Sequence, residues 1–147
     1  MKKVAISACL LGQNCRYDCD NNLSVELVEM LQDKYLVPFC PEDWAFGSPR
    51  ATMDLVDINH QSRAISNENG KDLSNPIRDY AKAFFSQYRD IDLYIGKDRS
   101  PSCGVCTAKI YDRDKNLISS EGIGLMAKEA KKRGVEVIDA QEFLSSS

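Results

Sequence analysis

Three short apolar segments, each running into a cysteine, constrain the fold of this chain more than any other feature. They are Lys3 to Ala8 before Cys9, Tyr35 to Phe39 before Cys40, and Leu93 to Gly96, which a polar turn joins to Cys103. Short segments of this composition are typical of buried strands. If the three strands are parallel neighbours, the residues beyond their carboxyl ends meet at one edge of the sheet, and the three thiols converge there.

Helical segments alternate with these strands. Three helices are predicted from apolar residues at helical intervals, at 23–31, 77–88 and 122–133. Asn22 or Ser24 is expected to cap the first helix, and Ser74 the second. Two hairpins, at 53–66 and 109–119, look like excursions from the main sheet, and a last strand is predicted at 135–138. This order predicts a single α/β domain over residues 1–147, with a three-layer, Rossmann-like, mostly parallel sheet that has helices on both faces.

Size and composition exclude several classes of protein. At 147 residues, the chain can bury roughly two-thirds of the surface that its unfolded form exposes, so stability requires no disulfide framework. No apolar run approaches the ~20 residues that span a bilayer. The apolar N-terminal stretch is broken by Ser7, so we predict a cytoplasmic protein with no membrane partner. A net charge of −3, with a basic run only at a predicted helix end, predicts no nucleic-acid partner.

Six cysteines in a reducing compartment point to metal binding or catalysis, because stable disulfides are rare there. The pairs Cys15/Cys19 and Cys103/Cys106 have spacings close to those of zinc sites, so one alternative is a non-enzymatic zinc protein. A second alternative is a sulfur-carrier or redox protein that uses the Cys103/Cys106 dithiol. Taken singly, Cys15, Cys19 and Cys106 are interpreted as inert small hydrophobes.

Three separated motifs carry a resemblance to a known family. They are the segment from Ile6 to Gly12 with Cys15-Arg16-Tyr17-Asp18 soon after it, Cys40-Pro41-Glu42, and Ser100-Pro101-Ser102-Cys103-Gly104. In order and spacing they resemble the thiouracil desulfidase family of small bacterial proteins, and the likeness spans nearly the whole chain. The resemblance implies a [4Fe-4S] cluster held by the thiolates of Cys9, Cys40 and Cys103, with the fourth iron left open.

The same resemblance implies an activity, the non-redox desulfuration of a thiolated pyrimidine, with a thiolated nucleobase or nucleoside as substrate. An open iron is a Lewis acid that suits a soft thiocarbonyl sulfur, so water can add to the polarised carbon and sulfide can leave. Glu42 is the expected general acid/base because it follows a cluster ligand by two residues, although an exposed loop acid is the ordinary interpretation. Ser100 and Ser102 are expected to orient substrate or water, with turn capping as their ordinary role.

Departures from the family pattern bear on the pocket. Cys19 stands where the family usually has glycine, and Trp44 and Phe46 stand in a stretch that is usually rich in glycine. The two bulky rings are expected to reshape the pocket. Arg50, like Arg16 and Tyr17, occupies a family-like position, where an arginine either braces loops or touches substrate.

Overall fold

The computed structural model describes residues 2–146 and contains two four-stranded sheets. The first consists of β1 (Lys3–Ser7), β2 (Tyr35–Phe39), β5 (Leu93–Gly96) and β8 (Glu136–Asp139), in the order β2-β1-β5-β8. Every pairing within it is parallel. The predicted strands that lead to Cys9, Cys40 and Cys103 are therefore adjacent and parallel.

The second sheet combines the two predicted hairpins. Its strands are β3 (Met53–Ile58), β4 (Gln61–Ser66), β6 (Ala108–Tyr111) and β7 (Leu117–Gly122). The hairpins β3/β4 and β6/β7 are antiparallel, and a short parallel pairing of β3 with β6, with Leu55 opposite Ile110, joins them. The sequence did not predict that the hairpins join into one sheet.

Helices cover both faces of the first sheet. They are α1 (Val25–Met30), α2 (Pro41–Phe46), α3 (Ser74–Gln87), α4 (Leu125–Lys132) and α5 (Ala140–Ser145). α3 and α4 pack on the face to which Ala5 and Tyr94 point, whereas α1 and α5 pack on the face of Val4 and Ile6. Because successive strand residues point to opposite faces, β1 is buried on both sides. The predicted three-layer α/β fold is confirmed.

The two predicted helix caps have different outcomes. Ser24 caps α1, since its Oγ accepts a hydrogen bond from the Leu27 amide at 3.3 Å. The prediction that Ser74 caps the next long helix is wrong. Its Oγ instead accepts the Ala64 amide of β4 at 2.8 Å, and its own amide donates to Asp72 Oδ1 at 2.9 Å.

Other element boundaries also differ from the prediction. α4 begins at Leu125 rather than at 122, because Gly122 pairs with Ala108 as the last residue of β7. The short helices α2 and α5 were not predicted. None of the helices within residues 2–146 has the length and hydrophobicity that crossing a bilayer requires.

The strand order reverses beside β1. The chain passes from β1 to β2 on one side of it and later reaches β5 on its other side. In open parallel sheets, ligands bind at such a switch point, beyond the carboxyl ends of the strands. Cys9 and Cys103 follow the two strands that flank this point, and Cys40 follows β2.

Candidate functional site

A cavity of about 290 Å³ opens at this edge of the first sheet. Four cysteines line it, namely Cys9, Cys15, Cys40 and Cys103. The structure thus brings together the three cysteines at the strand ends and adds a fourth. Glu42 also lines the cavity.

The ends of β1 and β2 place two of the thiols. Cys9 lies in a 3-10 turn, Ala8–Leu11, that begins where β1 ends, and its Sγ accepts a hydrogen bond from Asn22 Nδ2 at 3.6 Å. Cys40 is the residue between β2 and α2, whose first residue is Pro41. Proline lacks an amide hydrogen and is favoured in the first turn of a helix, so it ends the strand and begins α2 at the thiol.

Cys103 is buried, and its backbone is fixed on both sides. Its amide donates to Ser100 Oγ at 3.0 Å, and its carbonyl accepts a hydrogen bond from the Tyr94 hydroxyl at 2.8 Å. The carbonyl also passes so close to Gly96 that a Cβ there would lie 1.9 Å from the oxygen. The glycine at the end of β5 therefore makes room for the turn that carries this thiol.

Cys15 contacts two of the other thiols. Its thiol is hydrogen-bonded to those of Cys9 and Cys40, and its carbonyl accepts a hydrogen bond from Cys40 Sγ at 3.6 Å. The thiol contacts lower the pKa of Cys9 to about 6, lower that of Cys40 and raise that of Cys15. Burial instead raises the pKa of Cys103 well above its usual value. Cys15 is buried in an apolar cluster, as expected of a small hydrophobe, and it also lines the cavity.

The two serines beside Cys103 have different partners. Ser102 is fully buried, and its hydroxyl donates to Glu42 Oε2 at 2.8 Å. Ser100 lines the cavity, and its Oγ accepts hydrogen bonds from the amides of Ser102 and Cys103 at 3.2 and 3.0 Å. Ser100 thus closes the turn that carries Cys103, whereas Ser102 fixes one oxygen of Glu42.

Arg50 joins the Cys15 loop to Glu42. Its side chain is 8% exposed, and Nη2 and Nη1 donate to the carbonyls of Cys15 and Gly47 at 2.9 and 3.0 Å. Its Nε lies 3.6 Å from Glu42 Oε1 and has no hydrogen-bond partner within residues 2–146. Of the two roles left open for this arginine, the contacts of its side chain match loop bracing. They also put a positive charge beside the Glu42 oxygen that Ser102 does not bind.

Sequence analysis missed two cationic residues of the lining. Lys97 and Arg99 follow β5 and face the same cavity as Arg16 and Arg50. After the hydrogen bond from Cys15, the positive charges of Lys97 and Arg16 contribute to the lowered pKa of Cys9. Lys97 and Arg99 lie in the sequence between the end of β5 and Cys103, and this position could have identified them.

The bulky residues of α2 lie outside the cavity lining. The Trp44 ring is exposed and packs against Tyr80, with the ring centroids 5.5 Å apart. Phe46 packs against the core beneath the second sheet. The expectation that these rings reshape the pocket is therefore corrected.

The cysteines of the zinc alternative are not brought together. Cys19 and Cys106 are exposed, and Cys106 Sγ donates to Asp139 Oδ2 at 3.4 Å. Within residues 2–146, no group of three or more histidine, cysteine, aspartate or glutamate side chains converges closely enough to hold a single metal ion. An iron–sulfur cluster would not require such close convergence, because its cysteine ligands would bind separate iron atoms.

Comparisons with known proteins agree with this site and fold. Residues 4–142 match the family described as 2-thiouracil desulfurase. The uncharacterized protein YbbK of Bacillus subtilis (strain 168) is 26% identical over 148 residues, which cover 95% of this chain and 97% of YbbK. A solved structure, the [4Fe-4S]-dependent thiouracil desulfidase TudS, matches with a TM-score of 0.77 at 25% identity, over 99% of this chain and 95% of that one.

The protein has an α/β fold with four thiols and a serine-bound carboxylate at the switch point of its sheet. This arrangement is typical of a small enzyme whose active site is built from cysteines. The chain belongs to the 2-thiouracil desulfurase family. The resemblance drawn from the three sequence motifs is confirmed, as is the prediction that the chain belongs to an enzyme family whose reaction is the desulfuration of thiouracil.

Proposed function

We propose that this chain hydrolytically desulfurates a thiolated pyrimidine base or nucleoside, using a [4Fe-4S] cluster held by Cys9, Cys40 and Cys103. The observation that carries the proposal is the convergence of cysteine thiols on one cavity beside Glu42. The solved relative TudS is named as [4Fe-4S]-dependent, which supports the same cofactor here.

The donor set fits such a cluster. Iron–sulfur clusters are bound by cysteine thiolates, and three thiols at separate strand ends offer three separate points of attachment. Cys15 contacts the thiols of both Cys9 and Cys40. The resemblance in the three sequence motifs implies Cys9, Cys40 and Cys103 as the ligands, so we assign the ligand roles to these three and not to Cys15.

When bound, the cluster supplies an iron without a protein ligand, a Lewis acid suited to a thiocarbonyl sulfur. Glu42 is the group that moves the proton. Ser102 occupies Oε2, which leaves Oε1 to accept a proton from the attacking water and to return it later. The Nε of Arg50 lies 3.6 Å from this same oxygen and helps to hold it in place. Ser100 retains its own hydroxyl proton, which it can donate to substrate in the cavity.

The remaining lining suits a small, polar, ring-shaped substrate. Phe39 and Met53 give the cavity an apolar wall, and Lys97 and Arg99 give it donors for the oxygens of a pyrimidine. A cavity of about 290 Å³ has the size of a small-molecule site. The six free cysteines suit a reducing compartment such as the cytoplasm, where we expect the protein to act.

Anaerobic reconstitution with iron and sulfide tests the cofactor. We expect brown protein with about four irons per chain. Single serine substitutions of Cys9, Cys40 and Cys103 should abolish the colour, whereas Cys15→Ser, Cys19→Ser and Cys106→Ser should keep it. Loss of the cluster in Cys15→Ser with retention in one of the first three would overturn the ligand assignment.

Sulfide release by the reconstituted protein tests the reaction and the substrate. The panel consists of thiolated pyrimidine bases and nucleosides, with the oxo compounds as blanks. Glu42→Gln should bind the full cluster and release no sulfide. A wild-type protein that carries the cluster but releases sulfide from no compound contradicts the proposed activity, and full activity of Glu42→Gln removes the role of this carboxylate.

A further inference from the structure

The backbone amide of Cys40 has a partner from outside the sheet. Cys40 lies one residue beyond β2, which is an edge strand and pairs with β1 alone. The Cys40 amide donates to the hydroxyl of Tyr80 at 3.3 Å. Tyr80 lies in α3, 40 residues away in the chain, so a tertiary contact fixes the point at which the backbone turns from strand to helix.

An aromatic cluster holds the Tyr80 ring in place. The ring lies between Trp44 and Phe84, with centroid distances of 5.5 and 6.2 Å. Trp44 belongs to α2, so the element that begins at Cys40 also covers the tyrosine that bonds Cys40. The backbone hydrogen bond and the ring contact thus both connect Tyr80 to the segment that begins at Cys40.

We infer that Tyr80 is a positioning residue for Cys40, whose backbone amide its hydroxyl oxygen holds. This inference rests on the proposed function, because that function assigns Cys40 to the cluster. The aromatic ring supplies packing, and the hydroxyl oxygen supplies the positioning.

Tyr80→Phe removes that oxygen and keeps the ring. Tyr88→Phe is the matched control, because Tyr88 follows the same helix and also packs on Phe84, with centroids 5.0 Å apart. In protein without the cluster, we expect the Cys40 amide to exchange its hydrogen roughly fivefold faster in Tyr80→Phe, the factor expected for loss of one net hydrogen bond. Exchange at Cys40 should be unchanged in Tyr88→Phe.

The reconstituted variants give a second measurement. A Cys40 backbone that is less well held should shorten the lifetime of the visible absorbance of the cluster in air in Tyr80→Phe, with Tyr88→Phe matching the wild type. A packing role alone predicts the same values for all three proteins.

The outcomes separate the inference from the proposed function. If the wild-type protein takes up no iron, the proposed function fails, and exchange at Cys40 still decides whether Tyr80 holds the amide. If all three proteins carry the cluster with the same exchange rate at Cys40 and the same lifetime in air, the function stands and the inference is overturned. A Cys40 amide that is unprotected in the wild type overturns it as well, whatever the folding of the variant.

Discussion

Ser102 donates a hydrogen bond of 2.8 Å to Glu42 across 60 residues of chain. Ser102 belongs to the turn that carries Cys103, and Glu42 lies in the first turn of α2 directly after Cys40. The bond therefore ties together the segments that follow β5 and β2. It also fixes the carboxylate relative to two of the proposed cluster ligands.

Replacement of Ser102 by alanine should impair turnover without removing the cluster. A hydrogen bond to a charged group contributes ~1.5–3 kcal/mol, so we expect kcat for sulfide release to fall roughly 10- to 100-fold. Iron content should match the wild type, because the Ser102 hydroxyl makes no contact with a cysteine backbone. Both quantities are measured on the same reconstituted sample.

Ser100→Ala is the matched control for that variant. Its Oγ accepts the Cys103 amide, so its loss should lower iron content as well as activity. If Ser102→Ala retains full kcat, or if both serine variants lose iron to the same extent, the separate roles assigned to these serines are wrong.

The approach of Cys103 to Gly96 allows a test of the fold that supports the site. A Cβ at residue 96 would lie 1.9 Å from the Cys103 carbonyl oxygen and 3.1 Å from Tyr94. Since the clash is with backbone, Gly96→Ala should lower the free energy of unfolding by about 3 kcal/mol, the upper part of the usual range for overpacking. Urea denaturation measures this change.

Gly70→Ala is the control for an added methyl group. Gly70 has a φ of +72° and no atom within 4 Å of the added Cβ, so only backbone strain of ~1 kcal/mol is expected. Equal stability of the two variants would show that the turn after β5 yields easily, contrary to the close packing around Cys103.

Much of the fold was predictable because its strands are short apolar runs between clear turn residues. The sequence does not reveal which strands pair, since strand propensity is a property of one segment and pairing is a property of two. The parallel contact of β3 with β6 rests on two residue pairs, with Leu55 opposite Ile110. The helices α2 and α5 have six residues each, too few for a helical period to repeat, whereas apolar residues on either side of the equally short α1 extend its pattern over 23–31.

The site was predictable where a thiol directly follows a strand. Cys40 directly follows β2, Cys9 follows β1 after one residue, and the geometry of a parallel sheet brings such ends together. Cys15 follows no strand, and its spacing from Cys19 suggested a zinc pair instead. Only the folded chain shows that Cys15 faces the cavity while Cys19 faces solvent. The contact of Ser102 with Glu42 was missed for the same reason, because no local pattern encodes it.

The backbone of Cys19 adopts a conformation that favours glycine. Its φ of +63° lies in the left-handed region, where a side chain costs ~1–2 kcal/mol. We expect Cys19→Gly to raise the free energy of unfolding by about 1 kcal/mol after the larger chain entropy of glycine is subtracted. Thermal unfolding should show a rise in Tm of about 2–4 °C. Cys19→Ala removes the thiol but keeps the strained backbone, so a similar gain in that variant would contradict the explanation.

Asp72 should make part of the stability dependent on pH. Partial burial acts to raise its pKa, but hydrogen bonds from Arg63 and Ser74 outweigh this effect and hold the pKa below the usual 3.8. A carboxyl with a lowered pKa stabilises the fold above pH 3.8, and this contribution is lost as the pH falls through the lower value of the folded state. The Arg63 ion pair, at 2.6 Å, is partly exposed, so its contribution is less than about 1 kcal/mol.

Asp72→Asn separates the ion pair from the hydrogen bond to the Ser74 amide, because asparagine also accepts such a bond. We expect the variant to be less stable than the wild type at pH 7 and the difference to vanish on acidification below pH 3.8, as urea denaturation at a series of pH values would show. Asp72→Ala loses both contacts and should remain less stable at every pH. A difference between Asp72→Asn and the wild type that does not change with pH would mean that charge at residue 72 contributes nothing to stability.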